Sequence, residues 1–157
     1  MIRTENLTRD YGGGRGIIEL NLHVPKGRIY GYIGPNGAGK TTTIKLLCGL
    51  IRPTTGTASI NGVEVTPHNN QTIKKMIGYL PDVFGVYDQM SVWEYLDFFC
   101  AAYRIPRKAR EERIRESLRL TDGIYMLDYQ VASLSRGMRQ RVGLAKTLLH
   151  DPDVLIL

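Results

Sequence analysis

The sequence predicts an α/β fold with a parallel core, and three observations support this prediction. Short apolar segments typical of strands alternate with segments whose apolar residues recur at helical spacing. A glycine-rich loop joins one of these strands to a helix, and a later helix leads into a final apolar run. The order strand, helix, strand, helix, strand is typical of parallel sheets that are covered by helices.

The first third of the chain predicts several strands. The segment IIELNLHV alternates between apolar and polar residues, which indicates a half-buried strand. Its inward-facing residues are predicted to be Ile18, Leu20, Leu22 and Val24. The segment RIYGYIG, residues 28–34, is typical of a continuous, buried strand. In ASINGVEV, the pair Asn61-Gly62 is a strong signal for a β-hairpin turn.

Helices and short strands are predicted in the rest of the chain. A helix begins at Lys40, and Gly49 and Pro53 mark its end. The segment MIGYL before Pro81 indicates another short buried strand.

The second half of the chain is mainly helical in pattern. Residues 92–127 have helical periodicity: Val92, Tyr95, Leu96 and Phe99 share one face, and a second helix is predicted over 108–120. A further helix is predicted over 137–149, with Ser135 as its N-cap. The final run, residues 154–157, has the character of a buried strand.

The composition is that of one globular domain. The chain has 157 residues, of which 43% are hydrophobic and 23% charged, so it is long enough to bury a substantial core. Its longest apolar-rich stretch, Tyr95–Tyr103, is interrupted by Asp97 and is too short to span a bilayer. Cys48 and Cys100 lack the spacing of a metal or redox motif, so we expect buried thiols in a reducing cytosol.

The net charge of +6 is compatible with a polyanionic partner such as a nucleic acid. Much of the basic excess is expected to lie in residues 104–119, where Arg and Lys are interleaved with Glu. Mixed charge at helical spacing is typical of a solvated helix face, so this segment does not predict a nucleic-acid surface.

A phosphate-binding loop is the most informative motif. The segment GPNGAGKTT places Gly34, Gly39, Lys40 and Thr41 in the pattern G-x-x-x-x-G-K-[ST], between a predicted strand and a helix. Glycines permit positive φ, so that successive N–H groups converge on an anion next to the positive end of the helix. Lys40 is expected at the β- and γ-phosphates, the Thr41 hydroxyl on Mg²⁺, and Thr42 near the α-phosphate. The loop alone does not separate an ATPase from a GTPase or a small-molecule kinase.

Two segments together identify a family resemblance. The segments YIGPNGAGKTTTIKLLCGLIRPTTG and ASLSRGMRQRVGLAKTLLHDPDVLIL resemble the phosphate loop and the signature region of ATP-binding cassette (ABC) nucleotide-binding domains, in the same order and spacing. The resemblance covers the whole chain. It implies a P-loop NTPase core with an antiparallel β subdomain and an α-helical subdomain. The corresponding parts are about 1–83 for the nucleotide-binding region, 84–133 for the helical subdomain and 134–157 for the signature helix and the next strand.

The resemblance also implies roles for individual residues. Tyr11 takes the place of the aromatic residue that stacks on adenine, with ordinary packing as the alternative use of its ring. The triphosphate would be cradled by Gly34, Asn36, Gly37, Ala38, Gly39, Lys40, Thr41 and Thr42. Ser135 and Gly137 would contact the γ-phosphate that is bound by a second, opposing domain.

The sequence departs from the family pattern in two places. In the signature, Arg136 replaces a Gly and Met138 replaces a Gln. Arg136 is expected either to be solvated or to add positive charge near the opposing nucleotide. Asp82 stands where the family usually has a Gln, and it has two possible roles: a ligand of Mg²⁺, directly or through water, or a turn-forming residue after Pro81.

The family's catalytic carboxylates would follow residues 154–157. We therefore interpret the chain as an ABC domain that is C-terminally truncated just before those carboxylates. The expectation is that the full-length parent hydrolyses ATP, that no catalytic residue lies in this chain, and that the 157-residue chain is inactive alone. His150 and Asp153 precede the last strand and are not expected to substitute.

The resemblance to exporters of the multidrug type implies an ATP-binding subunit that couples ATP and Mg²⁺ to export. Its partners would be a transmembrane permease and a second ABC domain, in a homo- or heterodimer, and its place would be cytoplasmic, peripheral on the inner face of the cell membrane. The alternative is a soluble ABC ATPase that acts on ribosomes or nucleic acid. Proteins of that class usually carry paired domains in one chain or a long coiled-coil insertion, and the sequence shows neither. No nucleic acid is therefore expected as a partner. A P-loop kinase or GTPase would leave the signature segment unexplained.

Overall fold

The computed structural model describes residues 1–81, 85 and 89–157. The chain divides into two compact units, Met1–Ile77 and Gly78–Leu157. Asp82 lies outside the described residues, so its predicted role stays a prediction. The predicted three-part division of the chain likewise stays a prediction. None of the helices in the described part combines the length and hydropathy that a membrane span requires.

The first unit is built on a four-stranded antiparallel sheet in the order β2-β1-β3-β4. Its strands are β1 (Ile2–Asp10), β2 (Gly16–Val24), β3 (Thr55–Ile60) and β4 (Val63–Glu64). β3 and β4 form the predicted hairpin: Ile60 pairs with Val63, and Asn61 and Gly62 both have positive φ, at 49° and 82°. These angles are those of a type I′ turn, which explains why Asn-Gly occupies it.

Two helices complete the first unit, α1 (Lys40–Leu47) and α2 (Asn70–Met76). α1 begins at Lys40 as predicted. It ends at Leu47 with Cys48 as C-cap, and Gly49 then adopts the left-handed conformation (φ 65°) that follows many helices. α2 was not predicted, because only Ile73 in it is buried and a single buried residue gives no helical period.

The inward face of β2 differs from the prediction. A β-bulge at Glu19 (φ 47°) shifts the pairing register with β1. One extra residue exchanges the two faces of a strand. Before the bulge, at the N-terminal end of β2, Ile17 is therefore buried and Ile18 is 69% exposed. The prediction that Ile18 points inward is therefore wrong. Val24, on the far side of the bulge, is buried as predicted.

The segment 28–34 is not a strand in this structure. Ile29 and Ile33 are almost fully exposed, and within the described residues the segment takes part in neither sheet. The prediction of a continuous buried strand is therefore wrong. Its apolar composition showed that the segment suits burial, but burial of a strand also requires paired neighbours, which a local pattern does not reveal.

The second unit is mainly helical. Its helices are α3 (Val92–Ala102), α4 (Arg107–Leu120) and α5 (Arg136–Leu148), with single 3₁₀ turns at Ile124–Met126 and Val131–Ser133. The helices share one apolar core. The core residues are Val92, Tyr95, Leu96, Cys100, Ile114, Leu118, Met126, Val131, Leu134, Val142, Ala145 and Leu149. The predicted helices are confirmed here to within one or two residues at their ends.

Two short strands form a second sheet, β5 (Ile77–Tyr79) and β6 (Val154–Ile156). The N–H of Leu80 donates to the carbonyl of Ile156 at 2.9 Å. Both strands were predicted from their apolar runs, but the predicted burial of residues 154–157 is wrong at Leu155 and Leu157, which are 44% and 69% exposed. A side chain at Gly78 would meet the Thr147 carbonyl oxygen at 2.7 Å, so glycine is required where β5 approaches the end of α5.

Candidate nucleotide-binding site

The phosphate loop ends at the first turn of α1, and its backbone is held open by glycines. Gly37 and Gly39 have φ of 86° and 84°, which favour glycine. Gly39 is the N-cap of α1, so no side chain occupies the N–H groups of the first turn. Those N–H groups have no acceptor within the helix, and they carry its partial positive charge. The loop therefore presents a backbone surface that is suited to an anion.

Lys40 places its charge on this loop. Its Nζ donates to the backbone oxygens of Gly34 at 2.6 Å and of Pro35 at 2.9 Å. The side chain thus folds back over the loop that precedes it, and the ammonium group lies beside the glycine backbone. A phosphate bound at the start of α1 would meet this charge directly.

Three consecutive threonines follow Lys40, and they differ in burial. Thr41 is exposed, Thr42 is half-buried and Thr43 is 1% exposed. Thr43 Oγ1 donates to the Gly39 carbonyl at 3.1 Å and lies 3.2 Å from the Tyr32 hydroxyl. Since the single Thr43 hydroxyl hydrogen goes to Gly39, Tyr32 is the donor to Thr43.

Thr43 and Tyr32 therefore fix the turn between loop and helix, and the sequence prediction did not include either residue. The only sequence signal was the threonine run itself. Helical spacing from Lys40 places Thr43 on the side of the helix toward Leu46 and Leu47, which are also buried.

Gly39 also joins the phosphate loop to the sheet. A Cβ at Gly39 would collide with the Ile17 side chain and lie 2.9 Å from the Gly16 carbonyl oxygen. The loop therefore packs directly on the first residues of β2. Any larger residue at this position would be opposed both by its positive φ and by this contact.

Tyr11 lies on the loop that leads into β2. The loop is closed by a hydrogen bond from the Tyr11 N–H to the Arg15 carbonyl at 2.9 Å and by the pairing of Asp10 with Gly16. Between them are three glycines with positive φ, at residues 12–14. Because the phosphate loop contacts Gly16 as well, the structure brings the Tyr11 loop and the phosphate loop together at the same end of β2.

Tyr11 is 46% exposed. The guanidinium carbon of Arg9 lies 4.9 Å from its ring centroid, within the range of a cation–π contact. The ring thus has one charged neighbour and a large solvent-facing surface, which is suited to stacking.

The signature residues lie in the second unit, at the start of α5. Ser135 is the N-cap, as predicted, and its Oγ accepts a hydrogen bond from the Met138 N–H at 3.3 Å. Gly137 is exposed, and no atom lies within 4 Å of the place where a Cβ would stand. Arg136 is exposed too, so its extra charge is open to solvent, whereas the Met138 N–H of this turn is already bound by Ser135.

Arg139 anchors the signature segment, a role that the sequence prediction missed. Its Nε donates to the Leu134 carbonyl and its Nη2 to the Ala132 carbonyl, each at 3.1 Å. These bonds tie the chain before the N-cap to the second turn of α5. An Arg in a basic helix is usually taken as solvated, so no local pattern indicated this role.

The metal prediction rests on a small donor set. The Thr41 hydroxyl is a hard oxygen of the type that Mg²⁺ binds. The described ranges hold no group of three or more His, Cys, Asp or Glu residues that could bind a metal ion. The residues present therefore fit a magnesium ion whose other ligands are phosphate oxygens and water, and they do not form a metal site of their own.

Positive charge is concentrated in the first unit. Residues 1–77 contain ten Lys and Arg against four Asp and Glu, whereas residues 78–157 contain eleven of each. Residues 104–119 do carry a local basic excess, as expected, but acidic residues elsewhere in the second unit cancel it. The whole net charge of +6 therefore belongs to the unit that holds the phosphate loop.

Comparison with known proteins gives one consistent result. Residues 17–157 match the family model described as ABC transporter. The chain is 40% identical over 157 residues to the bacitracin transport ATP-binding protein BcrA of Bacillus licheniformis, covering all of this chain and 50% of BcrA. It is 32% identical over 157 residues to the probable multidrug ABC transporter ATP-binding protein YbhF of Escherichia coli (strain K12), covering all of this chain and 27% of YbhF.

The chain thus spans between about a quarter and a half of the length of these relatives. Among solved structures, cbiO1 from Clostridium perfringens, part of the ABC transporter complex cbiONQ, superposes with a TM-score of 0.85. The superposition covers 99% of this chain and 64% of cbiO1 at 23% identity. This likeness confirms the predicted α/β, P-loop NTPase fold class, whereas the four-stranded sheet of the first unit is antiparallel and the predicted parallel core stays a prediction.

Proposed function

The chain belongs to the ABC transporter family, and we propose that it is the ATP-binding part of an ATPase that drives export through a transmembrane permease. The observation that supports the proposal most directly is the phosphate loop. Lys40 is held on the loop by two carbonyl oxygens, at the start of a helix whose cap is a glycine. A triphosphate placed there meets one full positive charge and several free N–H groups.

We assign the triphosphate to the loop residues that were predicted from the motif. The backbone N–H groups of Asn36 to Gly39 and of the first turn of α1 are donors to phosphate oxygens, and that of Ala38 must first give up its bond to the Pro35 carbonyl. Lys40 neutralises charge on the β- and γ-phosphates, which requires it to exchange its carbonyl partners for phosphate oxygens. Thr42 is the donor nearest the α-phosphate. Thr43 has no part in this, since it is the buried threonine that fixes the turn.

The Thr41 hydroxyl is the proposed protein ligand of Mg²⁺. The ion neutralises the developing charge of a phosphoryl transfer. Asp82 remains a proposed second ligand, direct or through water. Both assignments depend on the chemistry of oxygen donors, which Mg²⁺ prefers.

Adenine is proposed to stack on Tyr11. Tyr11 is nearly half exposed, and its loop meets the same end of β2 as the phosphate loop. A base on this ring and a triphosphate on the loop can therefore belong to one nucleotide. Stacking on tyrosine tolerates other bases, so it contributes affinity more than selectivity.

Ser135 and Gly137 are proposed to bind the γ-phosphate of a nucleotide that is held by a second ABC domain. The exposed N–H groups at the start of α5 and the Ser135 hydroxyl are suited to an anion. The second domain would be another copy of this protein or a related chain. ATP would then be enclosed between two domains, and its hydrolysis would reopen them.

We place the hydrolytic step in the whole protein and assign no catalytic residue to this chain. Hydrolysis needs a carboxylate that polarises water next to the γ-phosphate. Asp153 precedes β6 and is not proposed for that role. The 157-residue chain is therefore expected to bind nucleotide and to turn it over slowly or not at all.

The export function is inferred from the relatives. BcrA is named for bacitracin transport and YbhF as a probable multidrug transporter. We propose a transmembrane permease as partner, with this protein in the cytoplasm on the inner face of the cell membrane. The net basic charge lies in the same unit as the phosphate loop, so we take it as no separate support for action on ribosomes or nucleic acid.

The test is a calorimetric titration of the purified protein with Mg·ATP. Lys40→Ala removes the charge on the loop, and we expect the Kd for ATP to rise about 10- to 100-fold, the value of a charge-assisted hydrogen bond. Lys45→Ala is the matched control, because Lys45 is exposed on the same helix and lies away from the loop. Equal affinities of the two variants would reject the proposed site, and tighter binding of GTP than of ATP would reject an ATPase.

A further inference from the structure

Arg9 is held against Tyr11 and the neighbouring backbone. It is the penultimate residue of β1, and its guanidinium carbon lies 4.9 Å from the Tyr11 ring centroid. Its Nη1 donates to the Arg52 carbonyl at 3.3 Å, 43 residues away in sequence. Its Nε is buried and has no hydrogen-bond partner in the described part of the chain. The side chain is therefore fixed by a ring face and one carbonyl, which are unusual partners for a solvated arginine.

No carboxylate holds Arg9 within the described residues. The adjacent Asp10 is directed elsewhere, because its Oδ1 accepts a hydrogen bond from the Gly12 N–H at 2.7 Å. Because no carboxylate competes for the guanidinium, its charge is available for the cation–π contact with the ring.

Tyr11 in turn has few other means of being held in place. The three residues after it are glycines, which offer no side chain for the ring to pack on. Each of them has positive φ and open space at the Cβ position. A ring on such a loop would sample several orientations, and stacking a base on it would then cost ordering entropy.

We propose that Arg9 is a positioning residue for base recognition. It stacks on one face of Tyr11 and holds the ring so that the remaining face receives adenine. The result is a three-layer stack of guanidinium, tyrosine and purine. This inference rests on the proposed role of Tyr11 in adenine binding and adds the residue that preorganises it.

The arrangement makes a specific prediction about the two halves of the nucleotide. Arg9 acts through Tyr11, so its removal should weaken binding of the base and leave binding of the phosphates unchanged. The probes are Mg·ATP and the magnesium complex of inorganic tripolyphosphate, which has the phosphates without a base. Both are titrated into the purified protein by calorimetry, and the ratio of the two Kd values is the measured quantity.

Arg9→Ala is expected to raise the Kd for ATP about 3- to 5-fold, in line with a partly exposed cation–π contact. The Kd for tripolyphosphate should not change. Arg9→Lys keeps the charge but loses the planar face, so it should restore only part of the ATP affinity. Arg3→Ala is the matched control on the same strand, because Arg3 is exposed and forms an ion pair with Glu5.

A double variant tests whether the two residues act together. Tyr11→Ala should weaken ATP more than Arg9→Ala does, and adding Arg9→Ala to it should cause no further loss. Circular dichroism and thermal melting of each variant confirm that the fold is intact.

Four results would overturn the inference. Equal weakening of ATP and tripolyphosphate by Arg9→Ala would make Arg9 a phosphate or folding residue. Additive losses in the double variant would mean that Arg9 acts independently of Tyr11. If Arg9→Ala changed neither Kd while Tyr11→Ala reduced the ATP affinity, Arg9 would have no role in base binding, but Tyr11 would keep its role. If Tyr11→Ala also left the ratio unchanged, base stacking itself would be rejected, while the phosphate site tested at Lys40 would stand.

Discussion

The two compact units of this chain are stabilised by different features of the sequence. Residues 1–77 have buried apolar residues of their own, among them Leu7, Ile60 and Ile73, and they also contain all ten of the described glycines with positive φ. Residues 78–157 rely on side-chain packing, with twelve buried residues in one core around three helices. The first unit carries the whole net charge, and the second is neutral. The phosphate loop and the net positive charge thus lie in the first unit, whereas the twelve-residue helical core lies in the second.

This difference explains where substitutions are tolerated. In the first unit, a glycine is needed because of a conformation or a close contact with the backbone, and adding one methyl group is enough to disturb it. In the second unit, volume matters most, and removing methyl groups is what disturbs it. The predictions below test this contrast, from the largest expected effect to the smallest.

The largest effect is expected from Leu118→Ala in the second unit. Leu118 is fully buried in the helical core, so its truncation leaves a cavity and should lower the free energy of unfolding by about 2–5 kcal/mol. Leu120→Ala is the matched control on the same helix, because Leu120 is 71% exposed and should change stability by less than about 0.5 kcal/mol. Urea denaturation of the purified protein measures both values.

The reactivity of the two cysteines shows which unit is destabilised by Leu118→Ala. Burial raises the pKa of the Cys48 thiol to about 12 and that of Cys100 to about 11, so both are protonated and inert at neutral pH until they are exposed. Cys48 reports on the first unit and Cys100 on the second. Leu118→Ala should accelerate alkylation of Cys100 at least about 10-fold and leave Cys48 unchanged. Equal acceleration of both thiols would show that the two units open as one and would end the comparison.

The same raised pKa values set a pH dependence. A thiol whose folded pKa lies above its unfolded value keeps its proton longer in the folded state. Stability should therefore be unaffected at neutral pH and fall as the pH rises from about 9, the ordinary thiol value, toward the folded values of about 11 and 12. Urea denaturation at a series of pH values measures this fall, and Cys48→Ala should reduce its slope.

The contrast also separates what the sequence could predict from what it could not. The helices of the second unit were predicted to within a residue or two, because burial along a helix is a local pattern of period 3.6. The face of β2 was predicted wrongly at Ile18, because the bulge at Glu19 is set by pairing with another strand. Residues 28–34 were predicted as a buried strand for a related reason, since their composition does not reveal whether neighbours pair with them.

The candidate site shows the same division. Lys40 and the glycines around it were predicted, because the phosphate loop is a contiguous motif with a known physical role. Arg9, Thr43 and Arg139 were missed, because each acts through contacts that a local pattern does not contain. Arg9 reaches a carbonyl 43 residues away, and Arg139 binds carbonyls on the far side of its own helix cap.

An intermediate effect is expected from Gly39→Ala in the first unit. The substitution adds a methyl group at a φ of 84° and against Ile17 and the Gly16 carbonyl, so we expect a loss of about 1–3 kcal/mol in stability. ATP affinity should fall as well, because the phosphate loop must shift. Thermal denaturation and ATP titration measure the two effects.

Gly27→Ala is the control that separates conformation from contact. Gly27 also has positive φ (73°), but nothing lies within 4 Å of its Cβ position. It should cost about 1 kcal/mol for the backbone conformation alone and leave ATP binding unchanged. If both variants lost the same stability and neither lost affinity, the contact between the phosphate loop and β2 would have no energetic role.

The smallest effect concerns Ser135, which joins packing and binding in one residue. As N-cap it accepts a hydrogen bond from the Met138 N–H, so Ser135→Ala should destabilise the second unit by about 1 kcal/mol. Ser135→Asn keeps a capping oxygen and should retain stability, but it removes the hydroxyl that is proposed to face a γ-phosphate on the opposing domain.

The two variants therefore separate the two roles of Ser135. ATP-dependent dimerisation, measured by light scattering, should be impaired in both variants. The stability measured by urea denaturation should be reduced only in Ser135→Ala. Normal dimerisation of Ser135→Asn would mean that Ser135 serves the helix alone. In that case the exposed N–H groups near Gly137 would have to bind the phosphate without the hydroxyl, and the second unit would contribute to the nucleotide only through its backbone.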